Sequence, residues 1–249
     1  MSTKESPKFL LLQSRRTTDP TAEHEHQCFA ESLNVPLKQI QVHNLVEEMP
    51  APDLLEDKLL LLGGSGEFSV LDSEPFVRQF IDLLENEVVR YKRPTFCSCF
   101  GFQALVLAGG GSVIHDTPNT EVGTFQLTLT EAGSSDPLMA SLGPRFKAQQ
   151  GHKDRADRLP VGMHNLAYSE RVPYQAFRIE DAPIFATQFH PELSMEANTK
   201  RYLWYKERYG KVDVDNDAVL SSMESTTDST ALLQRWVTEV TQSPSKESD

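Results

Sequence analysis

Thr95-Phe96-Cys97-Ser98-Cys99-Phe100-Gly101-Phe102-Gln103 passes from a short apolar strand into a helix with a single residue at the corner. Thr95 to Ser98 reads as a buried strand and Gly101 to Leu107 as the helix that follows. Cys99 sits at the elbow, where a sharp turn exposes the apical side chain to the first amides of the helix. A thiol attacks as the thiolate, so it needs that field and a base close by. Far downstream, Gln188-Phe189-His190-Pro191-Glu192 offers an imidazole, with a carboxylate two residues on to orient it. A nucleophile, a base and an orienting group together point to an enzyme.

Working outward, Phe9 to Gln13 reads as a first strand, Thr21 to Leu33 as a helix, Gln39 to Val42 as a short strand and Leu59 to Leu62 as a third. Gly63-Gly64-Ser65-Gly66 follows that third strand directly. Pro75 to Asn86 reads as an amphipathic helix with Phe76, Phe80, Ile81 and Leu84 on one stripe. Strand and helix in alternation imply a parallel sheet covered on both faces, with reactive groups at the carboxyl ends of its strands. Thr124 to Thr130 and Arg145 to Gln149 are strand-like without long helices between them. Tyr174 to Ile179 and Ile184 to Gln188 form a hairpin over Glu180-Asp181-Ala182-Pro183, so the second half is more antiparallel. Glu196 to Tyr209 is expected to be helical.

The 249 residues can bury one large core. The expected organisation is a main domain over residues 1–210, a polar linker over 211–228, a helix over 229–241 docked on the domain, and a disordered tail over 242–249. A formal charge of −12 leaves no excess of Lys and Arg to neutralise phosphates, which argues against nucleic acid as a partner. The longest aliphatic run, Leu59 to Leu62, is too short to cross a membrane. Three cysteines make a poor disulfide framework, and Cys97 and Cys99 lie too close to bridge without strain. The polar start, Met1 to Pro7, and the working thiol suggest a cytoplasmic protein.

The chain resembles the class I glutamine amidotransferases, most closely the glutaminase domain of GMP synthetase. The resemblance rests on the elbow Cys99-Phe100-Gly101-Phe102-Gln103, the loop Gly63 to Gly66, His152-Lys153-Asp154 with Leu159-Pro160 after it, and His190-Pro191-Glu192, in matching order over Lys8 to Tyr209. It implies a flavodoxin-like three-layer α/β sandwich with a central, mostly parallel sheet. It also implies hydrolysis of the glutamine side-chain amide through a γ-glutamyl thioester, releasing ammonia without metal or organic cofactor. Cys99, His190 and Glu192 map to the catalytic triad. The backbone N–H groups of Gly64 and Phe100 map to the oxyanion hole. Gln103 maps to a substrate contact, and His152 is placed with it as a candidate. Two residues depart from the family pattern: Cys97 stands where a glycine precedes the elbow, and Phe102 where His or Met is frequent, which would narrow the pocket or make it more apolar. No synthetase domain follows in these residues, so the expectation is a stand-alone glutaminase whose ammonia needs an acceptor subunit, or one whose amide hydrolysis is itself the purpose. Free-standing relatives that cut γ-glutamyl peptides give an alternative reading. A third reading is a non-catalytic binding or regulatory role beside a partner.

Other residues have blander readings. Cys28 and Cys97 are expected to be inert buried thiols. In Glu23-His24-Glu25-His26 the two histidines face different directions on a helix, so a solvated face is preferred over a metal site. The stripe with Trp236 is read as a docking face. Arg15 and Arg16, after the first strand, are candidates for binding an anionic acceptor or a peptide carboxylate.

Overall fold

The computed structural model describes residues 7–209 and 215–242. Its nine-stranded sheet is built from β1 (Phe9–Gln13), β2 (Ile40–Asn44), β3 (Leu59–Leu62), β4 (Thr95–Ser98), β6 (Glu121–Leu129), β7 (Arg145–His152), β9 (Met163–Tyr168), β10 (Ala176–Ile179) and β11 (Ile184–Thr187). The spatial order is β2-β1-β3-β4-β11-β10-β9-β6-β7. Neighbours from β2 to β11 run parallel, and those from β11 onward are antiparallel. A separate two-stranded ribbon pairs β5 (Ser112–His115) with β8 (Asp154–Arg158).

Strands β1 and β3, inside the parallel part of the sheet, are apolar on both faces because both faces are covered. Leu10 and Leu12 of β1 and Leu60 and Leu62 of β3 join one core, together with Phe80 and Leu105. Those last two belong to helices α2 (Pro75–Leu83), prolonged by a π-helical turn over Leu84–Val89, and α3 (Phe100–Ala108). The alternate residues Phe9, Leu11, Leu61 and Phe96 face a second core with Phe29 of helix α1 (Thr21–Leu33). The short α4 (Glu131–Ser135) follows β6, and after β11 come α5 (Met195–Tyr209), α6 (Asn216–Ser222), α7 (Thr227–Thr230) and α8 (Leu232–Gln242). Leu232, Leu233 and Trp236 of α8 complete the second core.

Trp236 is fully buried, with its ring edge-on to Phe96 at 5.7 Å between centroids. Helix α8 therefore lies against the sheet that carries the elbow. Trp236→Ala is expected to lower stability by about 3–5 kcal/mol, the usual cost of deleting a buried aromatic ring. A guanidinium unfolding curve checks this, and an unchanged midpoint would show that α8 is dispensable to the core.

Three strands have no clear sequence signature. In β8 the run Asp-Arg-Ala-Asp-Arg holds a single buried apolar residue, Ala156, and its partner β5 lies on the far side of β6 and β7 in the chain. In β9 the pairing with β10 is bulged between Ala176 and Phe177, which breaks simple alternation. The described part of the expected linker is also structured. Asp215 caps α6 through Asp217 N and Ala218 N, and Val219 packs with Val122 and Tyr202. Two apolar residues four apart, Val219 and Met223, suffice to seat this segment but are too sparse to stand out in the sequence. Gln242, the first residue of the expected tail, ends α8, and residues 243–249 lie outside the described residues.

Candidate active site

Cys99 caps α3 with φ 48° and ψ −99°, a positive-φ backbone that an L residue holds only when its surroundings impose it. The surroundings do so from two sides. Its N–H donates to Thr187 O of β11 at 2.8 Å, and Gly101 N–H donates to Gly63 O at 3.2 Å. Gly101 is required by this crossing, because a Cβ there would lie 2.7 Å from Leu62 Cβ and 3.1 Å from its carbonyl oxygen. Cys97 fits beside it as a small buried side chain in the core, so the absence of a glycine at that position does not open the elbow.

His190 follows β11 and is buried with Glu192. Its Nδ1 lies 2.6 Å from Glu192 Oε1. Burial alone would depress the imidazole pKa, but Glu192 and the Cys99 sulfur outweigh it and hold His190 up at about 9. Burial alone would raise Glu192; His190 and then Arg201 pull it down to about 2. Arg201, on α5, places Nη1 3.5 Å from Glu192 Oε1. Among the described residues its three guanidinium nitrogens and Glu192 Oε2 have no hydrogen-bond partner.

Gly64 lies over the same centre, where a Cβ would come within 2.8 Å of His190 Cε1 and 3.6 Å of Cys99 Cβ. Phe100 N–H is at the start of α3, where the first amides have no intrahelical acceptor. Beside the sulfur is a cavity of about 130 Å³ lined by Cys99, Gln103, Ser69, His115, His152 and Asp154, among others. This is small beside the roughly 300–1,000 Å³ of ordinary small-molecule sites. Asp154 gathers its mouth, taking Ser69 Oγ at 2.5 Å and His115 Nδ1 at 2.6 Å.

The two residues placed with the substrate are both anchored within the protein. Gln103 Nε2 donates to Asp154 O at 2.7 Å and Gln188 Oε1 at 3.2 Å. His152 is buried, with Nδ1 3.2 Å from Asp154 O and Nε2 3.1 Å from Glu121 Oε2. Burial would raise the Glu121 carboxyl, but His152, Ser169 and Gln175 hold it below its ordinary value.

Several expectations are corrected. Phe102 does not touch the cavity: it is fully buried and packs on Phe177 at 4.9 Å. Arg15 is 1% exposed and committed to Glu25 and Asp19 at 3.0 Å each, so it cannot receive an anionic ligand. Arg16 remains exposed, over the Phe68 ring and paired with Glu74. The Glu23–His26 face is not solvated throughout, since Glu25 answers the buried Arg15 and His24 sits edge-on to Trp204. Cys28 and Cys97 are buried, and burial pushes the Cys28 thiol up to about 12 and the Cys97 thiol still higher, which suits inert thiols.

Arg201, Glu121, Ser69 and His115 carried no signal in the sequence. Gln188 stood inside the quoted motif, but nothing local tied it to the sulfur.

A mostly parallel α/β sheet with a cysteine elbow and a buried His–Glu pair defines a class of thiol-bearing α/β proteins. The family model for glutamine amidotransferase class-I matches residues 25–206, and the chain belongs to that family. The glutamine-hydrolyzing GMP synthase of Thermosipho africanus is 30% identical over 199 residues, covering 72% of this chain and 36% of that protein. A glutamine-hydrolyzing GMP synthase from Ignicoccus hospitalis, named as one subunit of that enzyme, is 31% identical over 105 residues, covering 42% of this chain and 54% of that protein. The chain thus spans about a third to a half of the length of these relatives. A glutamine amidotransferase structure from Thermotoga maritima superposes with a TM-score of 0.74 at 21% identity, covering 95% of this chain and 99% of the other. A glutamine amido transferase from Methylobacillus flagellatus gives 0.67 at 22% identity, covering 94% and 92%. These show the flavodoxin-like α/β fold. Among the described residues no helix is long and apolar enough to cross a membrane.

Proposed function

We propose that this chain hydrolyses the side-chain amide of glutamine through a thioester on Cys99. The observation that carries this reading is the buried His190 Nδ1–Glu192 Oε1 contact of 2.6 Å, which commits one ring nitrogen and leaves the other to serve the Cys99 thiol. The Cys99 thiolate attacks the amide carbon and a C–S bond forms. The N–H groups of Gly64 and Phe100 receive the developing oxyanion. His190, as the imidazolium, gives its proton to the leaving nitrogen, the C–N bond breaks and ammonia departs. Water then attacks the thioester, His190 takes a proton from it, and the C–S bond breaks to release glutamate.

The cavity of about 130 Å³ takes a group of amino-acid size, and the relatives named as glutamine-hydrolyzing favour free glutamine over a larger γ-glutamyl compound. Relatives named as single subunits of GMP synthase suggest that the ammonia passes to a separate synthetase chain. Nothing in this scheme needs a cofactor.

The test is release of glutamate and ammonia from glutamine and, in parallel, from a γ-glutamyl dipeptide. Acid-quenched enzyme should carry a γ-glutamyl mass increment on the peptide containing Cys99. Turnover of glutamine with that adduct is the expected result. A clear preference for the dipeptide would make the chain a peptide hydrolase, and turnover without any adduct would overturn the thioester.

A further inference from the structure

Gln188 follows β11 and is fully buried, with its amide between the pocket wall and the elbow. Its Nε2 lies 3.7 Å from Cys99 Sγ. Hydrogen-bond partners fix which end of the amide faces the sulfur. Asp154 O is a carbonyl and can only accept, so the group 2.7 Å from it must be the NH2 of Gln103. The second hydrogen of that NH2 points to Gln188 at 3.2 Å, where it requires an acceptor, Oε1. Gln188 Nε2 is then left facing Sγ. Turning either amide over would set acceptor against acceptor or donor against donor.

We propose that Gln188 belongs to the reaction centre as the hydrogen-bond donor that holds the Cys99 sulfur, and that Gln103 is a positioning residue that fixes the direction of the Gln188 amide. An N–H donor stabilises an acceptor-only thiolate more than a neutral thiol, and most strongly where water is excluded. Gln188 Nε2 is the side-chain donor that meets the sulfur. The chain from Asp154 O through Gln103 and Gln188 also joins the pocket wall to the nucleophile. This proposal rests on Cys99 being the nucleophile.

The test is the pH dependence of iodoacetamide alkylation at Cys99, followed by peptide mass, with glutamine kinetics alongside. Gln188→Met keeps the volume and removes the donor. It is expected to raise the alkylation midpoint by about one pH unit, equivalent to about 1.4 kcal/mol, and to lower kcat about tenfold with KM within twofold. Gln103→Met should shift the midpoint in the same direction by a smaller amount, and it serves as the readout if Gln188→Met does not fold. A purely structural glutamine would change unfolding without moving the midpoint. An unmoved midpoint in either folded variant would overturn the proposal. If the wild-type protein turns over glutamine equally well after complete Cys99 alkylation, the nucleophile assignment itself fails, which separates the two outcomes.

Discussion

Cys99→Ala is expected to lower glutamine turnover by about a million-fold, the scale seen when a triad loses its nucleophile, while the protein stays folded. Alanine removes the sulfur without changing the backbone demand. The residue keeps φ 48°, and the Thr187 and Gly63 hydrogen bonds around the elbow do not use its side chain. Unfolding midpoints should therefore differ little between Cys99→Ala and wild type. Cys99→Gly should be equally inactive yet more stable than Cys99→Ala by about 1 kcal/mol, because glycine holds a positive φ without steric cost. Retained turnover in either variant would move the nucleophile elsewhere. Equal stability of the two would show that the elbow is unstrained.

Glu192→Gln should keep the geometry and lose the charge, with kcat falling roughly 10⁴-fold as when a triad carboxylate becomes an amide. Its pH profile is the sharper readout. Burial lowers His190, while Glu192 is the largest of the influences that raise it to about 9. With the carboxylate gone, burial dominates and the imidazolium loses its proton at lower pH. The alkaline limb of kcat/KM, expected near 9 in the wild type, should move down toward neutrality. The same sign governs stability. A group raised from 6.5 to about 9 on folding stabilises the protein fully below 6.5, and that contribution is lost as pH rises through about 9. Glu192, lowered from 4.5 to about 2, contributes above 4.5, and its share is lost as pH falls toward 2. The variant should therefore show a flatter stability profile between pH 6.5 and 9. An alkaline limb that stayed in place would mean that Glu192 does not set the His190 proton.

Much of this site was legible in the order of residues. The elbow could be read because a strand of Thr95 to Ser98, one corner residue and a glycine-bearing helix are adjacent in sequence. The helix α8 could be read because Leu232, Leu233 and Trp236 repeat at helical spacing. Parallel β1 and β3 announced themselves as continuous apolar runs, since both their faces are buried. The role of Phe102 could not be read, because whether a residue in a buried helix faces cavity or core depends on what packs opposite it, here Phe177.

Arg15 makes the same point for charge. As a residue after a strand it reads as free to bind an anion. In the fold Glu25 and Asp19 meet it in a dry site, and burial that would lower its pKa is outweighed by those partners. For His152, the partner of its Nε2 is Glu121, 31 residues earlier in the chain and outside any local pattern.

Local spacing was enough to specify the α/β alternation, the switch to antiparallel strands after the elbow, and the choice of Cys99, His190 and Glu192 as candidates, since each is written in neighbouring residues. Only folding could fix the β5–β8 ribbon, the partners of Arg15, the approach of Arg201 to Glu192, and the direction of the Gln188 amide. Those features depend on groups brought together from distant parts of the chain, where burial and hydrogen-bond polarity, and no local periodicity, select the arrangement.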